Sequence, residues 1–244
     1  MPLDIAFVLG LGLILGSFLN ALLFRFNTGR SALVGRSACM RCGHALRAID
    51  LIPVASFALL RGRCRYCRAK ISWQYPAVEG LAGLMAVLVY LQTGPTPWFM
   101  FWCVAWLVLL FIVVYDLRHS IIPWSASLLL MALGLVHAYA FGTWWGVALG
   151  APLLLLSLVS GGRWMGWGDG FLELSLGALL GGTAGLTALM LAFWTGAVVG
   201  IALMWARRGV TMKTEVPFAP FLIFGAAVAY FLHVDLFSSI TLLF

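Results

Sequence analysis

Charge is what this chain has least of. Only 9% of its 244 residues are charged, against 63% hydrophobic, and its mean hydropathy is +1.04. A soluble domain carries about 25% charged residues, so there is too little polar material to coat a water-facing surface. That excludes an ordinary soluble enzyme or binding module and leaves an integral membrane protein. One span needs roughly 20 apolar residues, and the chain has room for seven or eight spans plus one modest polar insertion. Acidic residues are scarcest, eight against 15 Lys and Arg. The resulting +7 charge and pI near 9.5 do not argue for a nucleic-acid partner, because basic loops beside spans are what topology selection produces. Internal repeats and low-complexity tracts are also missing. Met1 to Asp4 has no basic n-region and no small-residue cleavage site follows. The first segment therefore reads as a retained anchor rather than a removed signal peptide.

What is abundant is apolar sequence. Runs at about 5–24, 76–92, 97–115, 121–141, 144–160, 171–183, 185–206 and 217–240 predict an all-α polytopic protein of about eight transmembrane helices. The longest polar stretch, 25–75, holds ten of the basic residues: Arg25, Arg30, Arg36, Arg41, Arg47, Arg61, Arg63, Arg65, Arg68 and Lys70. Arg118, Arg163, Arg207, Arg208 and Lys213 fall after the third, fifth and seventh runs. With the termini outside, every Lys and Arg lands on the cytoplasmic side, as the positive-inside rule requires. Three parts follow: a first helix over 1–24, a cytoplasmic insertion over 25–75, and a transmembrane core over 76–244. Ser17 and Asn20, inside the first run, are expected to hydrogen-bond neighbouring helices.

The insertion holds Cys39-Met-Arg-Cys42 and Cys64-Arg-Tyr-Cys67. Two such knuckles read as a four-thiolate zinc site, closed and therefore structural. Disulfides are the rival reading, which a reducing cytoplasm disfavours. The surrounding Arg41, Arg63, Arg65 and Arg68 would offset the charge of a zinc tetrathiolate. The apolar stretch between the knuckles, Ile49 to Leu60, is too short to span and is expected in the membrane interface or against the span bundle. Cys103, inside the third run, reads as a small buried apolar residue.

Of the eight carboxylates, Asp50 and Glu215 fall in cytoplasmic loops, where a solvated or ion-paired role is expected. Glu79, Asp116, Asp169 and Glu173 lie near membrane depth, where ionisable groups are costly and are functional candidates by default. Asp116 ends the third run, and Asp169 precedes the sixth within Gly166-Trp-Gly-Asp169-Gly. Both fall at the cytoplasmic interface. Two carboxyls held close share a proton; the charged one activates a water, and the protonated one polarises a scissile carbonyl. Each also has a plainer reading, Asp169 as a helix N-cap and Asp116 as an interfacial stop paired with Arg118.

These segments resemble the type IV prepilin peptidases. The resemblance runs through Gly16-Ser-Phe-Leu-Asn20, the knuckle insertion with Asp50-Leu-Ile-Pro53, Tyr75-Pro-Ala-Val-Glu79, Asp116-Leu-Arg-His-Ser-Ile-Ile-Pro123, the G-x-G-D of Gly166 to Asp169, and Val216-Pro-Phe-Ala-Pro-Phe221. A lone G-x-G-D is weak; the whole set in one order is specific. The resemblance implies a membrane aspartyl endopeptidase of the bacterial cytoplasmic (inner) membrane, with Asp116 and Asp169 as catalytic pair. Its partners would be the bilayer and prepilin or pseudopilin precursors, cleaved after a short basic leader at the cytoplasmic face. Many members also N-methylate the new terminus with S-adenosylmethionine. Glu79 matches the segment tied to that methyl transfer, and equally suits a buried helix-start contact. Two departures stand out. The family usually has Lys two residues after the second aspartate, where this chain has Phe171, and the usual C-P-x-C is Cys39-Met-Arg-Cys42. Arg163 or Arg118 would be the cations available to compensate for Phe171. The competing reading, which Phe171 favours, is a zinc-stapled membrane scaffold or carrier of little or no activity.

Overall fold

A computed structural model describes residues 2–28, 35–206 and 216–237. Arg30, Arg207, Arg208, Lys213 and Glu215 lie outside the described residues. Among those described the chain is helical, with two isolated β-bridges and no strand. It divides into two compact units, Met1–Phe111 and Ile112–Phe244.

The first unit contains α1 (Pro2–Arg25), a 3-10 turn (Ala48–Leu51), α2 (Ala55–Leu59), α3 (Gln74–Thr93) and most of α4 (Pro97–His119). α1 and α3 pack through small residues. A Cβ placed on Gly16 would lie 2.7 Å from the Glu79 Cα, and one on Gly12 would lie 2.8 Å from the Gly83 Cα. This small-xxx-small contact brings the backbones together, giving the van der Waals surface that lipid cannot supply. The expectation for Asn20 holds: its Nδ2 donates to the Tyr75 carbonyl at 3.1 Å, and Gln74 Nε2 donates to its Oδ1 at 3.4 Å.

The second unit begins with the end of α4. It continues through α5 (Trp124–Phe141), a 3-10 stretch (Trp144–Gly150), α6 (Ala151–Ser160), α7 (Trp167–Leu180), α8 (Gly182–Ala206) and α9 (Ala219–Phe231). α7 is the centre of this unit, packed by α5, the 3-10 stretch, α6, α8 and α9. Glycines set the spacing here too: a Cβ on Gly146 would strike the Gly177 carbonyl, and one on Gly150 would lie 2.5 Å from the Leu174 side chain.

Among the described residues, five helices are long and apolar enough to cross a membrane: Leu3–Arg25, Gln74–Thr93, Pro97–His119, Trp124–Phe141 and Gly182–Ala206. The other three runs form shorter elements. The fifth is 3-10 for its first seven residues and α-helical for the next ten. At about 2.0 and 1.5 Å per residue it still covers about 29 Å, close to a ~30 Å hydrocarbon core. The sixth ends at Leu180 because Gly181, at φ 85°, turns the chain. Large apolar side chains such as Trp145 (79% exposed) and Tyr139 (82%) point away from the interior, as they do when lipid rather than water is the solvent.

Gly146→Ala should therefore overpack the α7 contact and lower stability by about 1–3 kcal/mol. Gly10→Ala, with nothing within 4 Å of the new methyl, should be neutral. Thermal unfolding of both variants in the same detergent checks the contrast.

Candidate active site and metal centre

The knuckles are two copies of one backbone design. Cys39 N donates to the His44 carbonyl and Gly43 N to the Cys39 carbonyl; Cys64 N donates to the Ala69 carbonyl and Arg68 N to the Cys64 carbonyl. Flanking them, Leu46 N donates to the Ser37 carbonyl and Ile71 N to the Gly62 carbonyl, in the same register. The turn in each copy is closed by a residue at positive φ, Gly43 (70°) and Arg68 (58°). The four sulfurs lie within 4.8 Å of one another. A tetrahedral ion with thiolate arms of about 2.3 Å has sulfur–sulfur edges of about 3.8 Å, and the Cys39 and Cys67 sulfurs are 3.8 Å apart. Backbone N–H groups of Cys42 and Arg41 bear on the Cys39 sulfur and bring its pKa down to about 7, toward the thiolate that a metal binds. The donor set and its size fit a metal ion.

Asp50 braces the second knuckle. Arg65 Nε donates to its Oδ1 at 2.6 Å, Tyr66 OH to its Oδ2 at 3.0 Å, and Arg47 N to the same oxygen at 3.1 Å. The Arg65 guanidinium holds this carboxyl below the usual carboxylate range. The ion-paired role expected of Asp50 holds, and Arg65 thus serves the carboxylate rather than the sulfurs.

The stretch between the knuckles packs against the helices, as expected, through one strained turn. Val54, at φ 59° and ψ −48°, is the centre of a γ-turn closed by Ala55 N on the Pro53 carbonyl at 2.5 Å. This conformation is rare and costly for a β-branched residue. It aims the Val54 N–H at Glu79 Oε2, 2.8 Å away, and Ser17 faces the same carboxylate. Glu79 is 7% exposed. It thus makes the buried polar contact that was one of its two readings.

In the second unit Asp116 occupies the last turn of α4, 4% exposed. The Ala219 N–H, at the start of α9, bonds its carboxyl, and Oδ2 has no partner among the described residues. Asp169 is the third residue of α7 and not its N-cap, which is Gly166. Its carboxyl reaches back to the Gly166 N–H, as the third helical residue of a capping box does. A Cβ on Gly166 would lie 3.0 Å from Asp169 Oδ2, and one on Gly168 would lie 2.9 Å from Ile122 Cβ. The bare backbone at 168 therefore lets Ile122, in the segment after Asp116, close onto the start of α7, and that at 166 leaves room for the Asp169 carboxyl. From α6, Ser157 Oγ bonds the Gly166 carbonyl at 3.2 Å and steadies that turn. The two aspartates are within electrostatic reach of each other.

Residues 10–93 match the bacterial peptidase A24 N-terminal domain, and residues 103–201 match the type IV leader peptidase family. A prepilin leader peptidase/N-methyltransferase of Burkholderia pseudomallei is 32% identical over 265 residues, covering 94% of this chain and 85% of that protein. The chain belongs to the type IV prepilin peptidase family. Proteins of the same name from Myxococcus xanthus (36% identical; 88% of this chain, 67% of the relative) and Aeromonas salmonicida (34%; 81% and 71%) are similarly related. No solved structure is significantly similar to it.

Against that family, Phe171 finds its explanation in packing: its ring meets Trp124, at the start of α5, edge-on with centroids 5.0 Å apart. Arg163, one of the two cations expected to compensate, is held at the end of α6 by its Nε on the Ser160 carbonyl at 3.0 Å. Sequence reasoning did not foresee Ser157 or the Ala219 N–H. Neither has a spacing signal; both emerge only when helix ends meet.

Two outcomes are expected. Metal analysis of the purified chain should find one tightly bound ion, lost in Cys64→Ser, whose sulfur is the buried one of the four. Glu79→Ala should leave the Val54 N–H unpartnered at a cost of about 1–3 kcal/mol. Faster hydrogen exchange at Val54, with Glu79→Gln near wild type, checks this.

Proposed function

We infer that the chain is an aspartyl endopeptidase of the bacterial inner membrane that removes the basic leader from prepilins or pseudopilins, with Asp116 and Asp169 as its acid–base pair. The observation carrying this is that two aspartates 53 residues apart in sequence lie within electrostatic reach in one compact unit, in a chain whose relatives are named prepilin leader peptidases. Two carboxyls brought close share one proton, and we assign that arrangement to this pair. Helix dipoles favour leaving the charge on Asp169, in the first turn of α7, over Asp116, in the last turn of α4. Asp169 then takes a proton from the attacking water while Asp116 donates to the carbonyl oxygen of the scissile bond. The departing amine receives the proton in the collapse of the tetrahedral intermediate.

The remaining assignments follow the same reading. Cys39, Cys42, Cys64 and Cys67 hold structural zinc, for which a four-thiolate tetrahedron leaves no open position. The insertion and the active site face the cytoplasm, both termini face outward, and 76–244 forms the peptidase core. N-methyltransferase is part of the relatives' printed name; methyl transfer from S-adenosylmethionine to the new N-terminus, in the Glu79 region, is our assignment for this chain.

Asp116→Asn and Asp169→Asn should each slow cleavage of a prepilin in detergent by about 100- to 10,000-fold without unfolding the chain. Cleavage at wild-type rate by either variant would reject the pair. Mass spectrometry of the processed product should show one added methyl on its N-terminus.

A further inference from the structure

Glu173 is a carboxyl that the aspartate pair leaves unused. None of its surface is exposed, and neither of its oxygens has a hydrogen-bond partner among the described residues. An ionised carboxylate only accepts hydrogen bonds, so one buried without donors must take up a proton or a cation.

Among the described residues no buried cation is at hand: Arg118 and His119, in the last turn of α4, are exposed. The 3-10 stretch, α6 and α8, all packed on α7, carry no titratable side chain, and α5 and α9 carry only His137, Tyr139 and Tyr230. His137 bonds the Ala178 carbonyl, more than a turn farther along α7. Tyr139 faces outward, and Tyr230 lies edge-on to Phe231. From α4 the group in this region is another carboxyl, Asp116. Arg163 is held on the end of α6, and Phe171 packs on Trp124. A proton is what remains.

Glu173 follows Asp169 by four residues on α7. Side chains so spaced share a helix face, with Cβ atoms about 5–6 Å apart. A protonated carboxyl has an O–H to give, and Asp169 is the neighbouring acceptor on that face.

We propose that Glu173 is a positioning residue whose carboxyl stays protonated and donates its O–H, directly or through one water, to the Asp169 carboxylate. It holds Asp169 charged through a hydrogen bond rather than a cation. This rests on the reading of Asp116 and Asp169 as the acid–base pair.

The test uses the full chain in detergent with a prepilin substrate. Glu173→Leu should stay folded and melt close to the wild-type temperature, because the desolvation cost relieved by removing a buried carboxyl offsets the one hydrogen bond lost. Its kcat should nonetheless fall about 10- to 100-fold, the scale of a hydrogen bond to a charged group, and the acid limb of its pH–rate profile should move to higher pH. Glu173→Gln, whose amide also donates, should recover most of the rate. Infrared spectra at neutral pH should show a protonated-carboxyl band in wild type that Glu173→Gln lacks. An unchanged kcat and pH profile in Glu173→Leu overturns the proposal, as does an infrared difference with no such band. Should Glu173→Leu fail to fold, the infrared comparison decides alone. Failure of the underlying reading shows separately, as retained cleavage in Asp169→Asn.

Discussion

Carboxyls sited where water is excluded are the constraint around which this protein is organised. A carboxylate in a low-dielectric interior is costly unless donors are aimed at it, and the helices of a membrane bundle have already used their N–H groups internally. Only helix ends and turns have backbone donors to spare. Three of the carboxyls near membrane depth each find one. Asp116 takes the Ala219 N–H at the start of α9, Asp169 the Gly166 N–H at the start of α7, and Glu79 the Val54 N–H of a strained γ-turn. Element ends therefore have to converge on the acids. The glycines at 166 and 168, which leave room for the Asp169 carboxyl and for Ile122, follow from that requirement rather than from any demand of the chemistry.

The same constraint explains the strain at Val54. A β-branched residue at φ 59° costs about 1–3 kcal/mol, and nothing local returns it. The return is at Glu79, which would otherwise be buried with one donor fewer, and in anchoring the apolar strap between the knuckles to α3. The insertion is thus held twice over, by four sulfurs that form a metal-sized tetrahedron and by the turn clamped on a buried acid. Loss of the metal would undo the knuckles without removing the clamp. The α1–α3 contact, built on Gly12 and Gly16, depends on neither.

How much of this was legible in the sequence depended on the range of the interaction. Five of the eight expected spans were readable as helices of membrane-crossing length because lipid imposes a length and a polarity on each one separately, and the cysteine cluster because both knuckles announce themselves in four residues. Asp50 was rightly expected to be ion-paired, though it sits in a 3-10 turn, but its partner Arg65 was assigned to the sulfurs, since proximity in sequence to Cys64 outweighed a contact that only the folded insertion reveals. Asp169 was read as a possible N-cap; the cap lies three residues earlier, where the glycine's own N–H is the useful group. The knuckle repeat escaped notice because it resides in backbone bonds, which two unlike sequences share without sharing side chains. The fifth span looked like any other run, and its 3-10 opening is dictated by Gly146 meeting Gly177, a tertiary fact.

Phe171 shows why a departure from a family pattern is better weighed by its neighbours than by its absence. Two residues past Asp169 on a helix is about 200° around the axis, so a side chain there points away from the Asp169 face. In this chain that direction meets α5, where the phenyl ring packs on Trp124 and Ser175 Oγ bonds the Phe171 carbonyl. The position has become part of the α5–α7 packing, and a cation there would have to give up that contact or snorkel past it. The direction that does lead to Asp169 is one turn on, at residue 173, and there the chain carries an acid. Exchanging a cation off the face for a carboxyl on it changes the charge available to the site but not the number of donors, provided the carboxyl keeps its proton. The substitution that first argued for an inactive scaffold is therefore compatible with a working peptidase, because hydrogen-bond donation to Asp169 does not require positive charge.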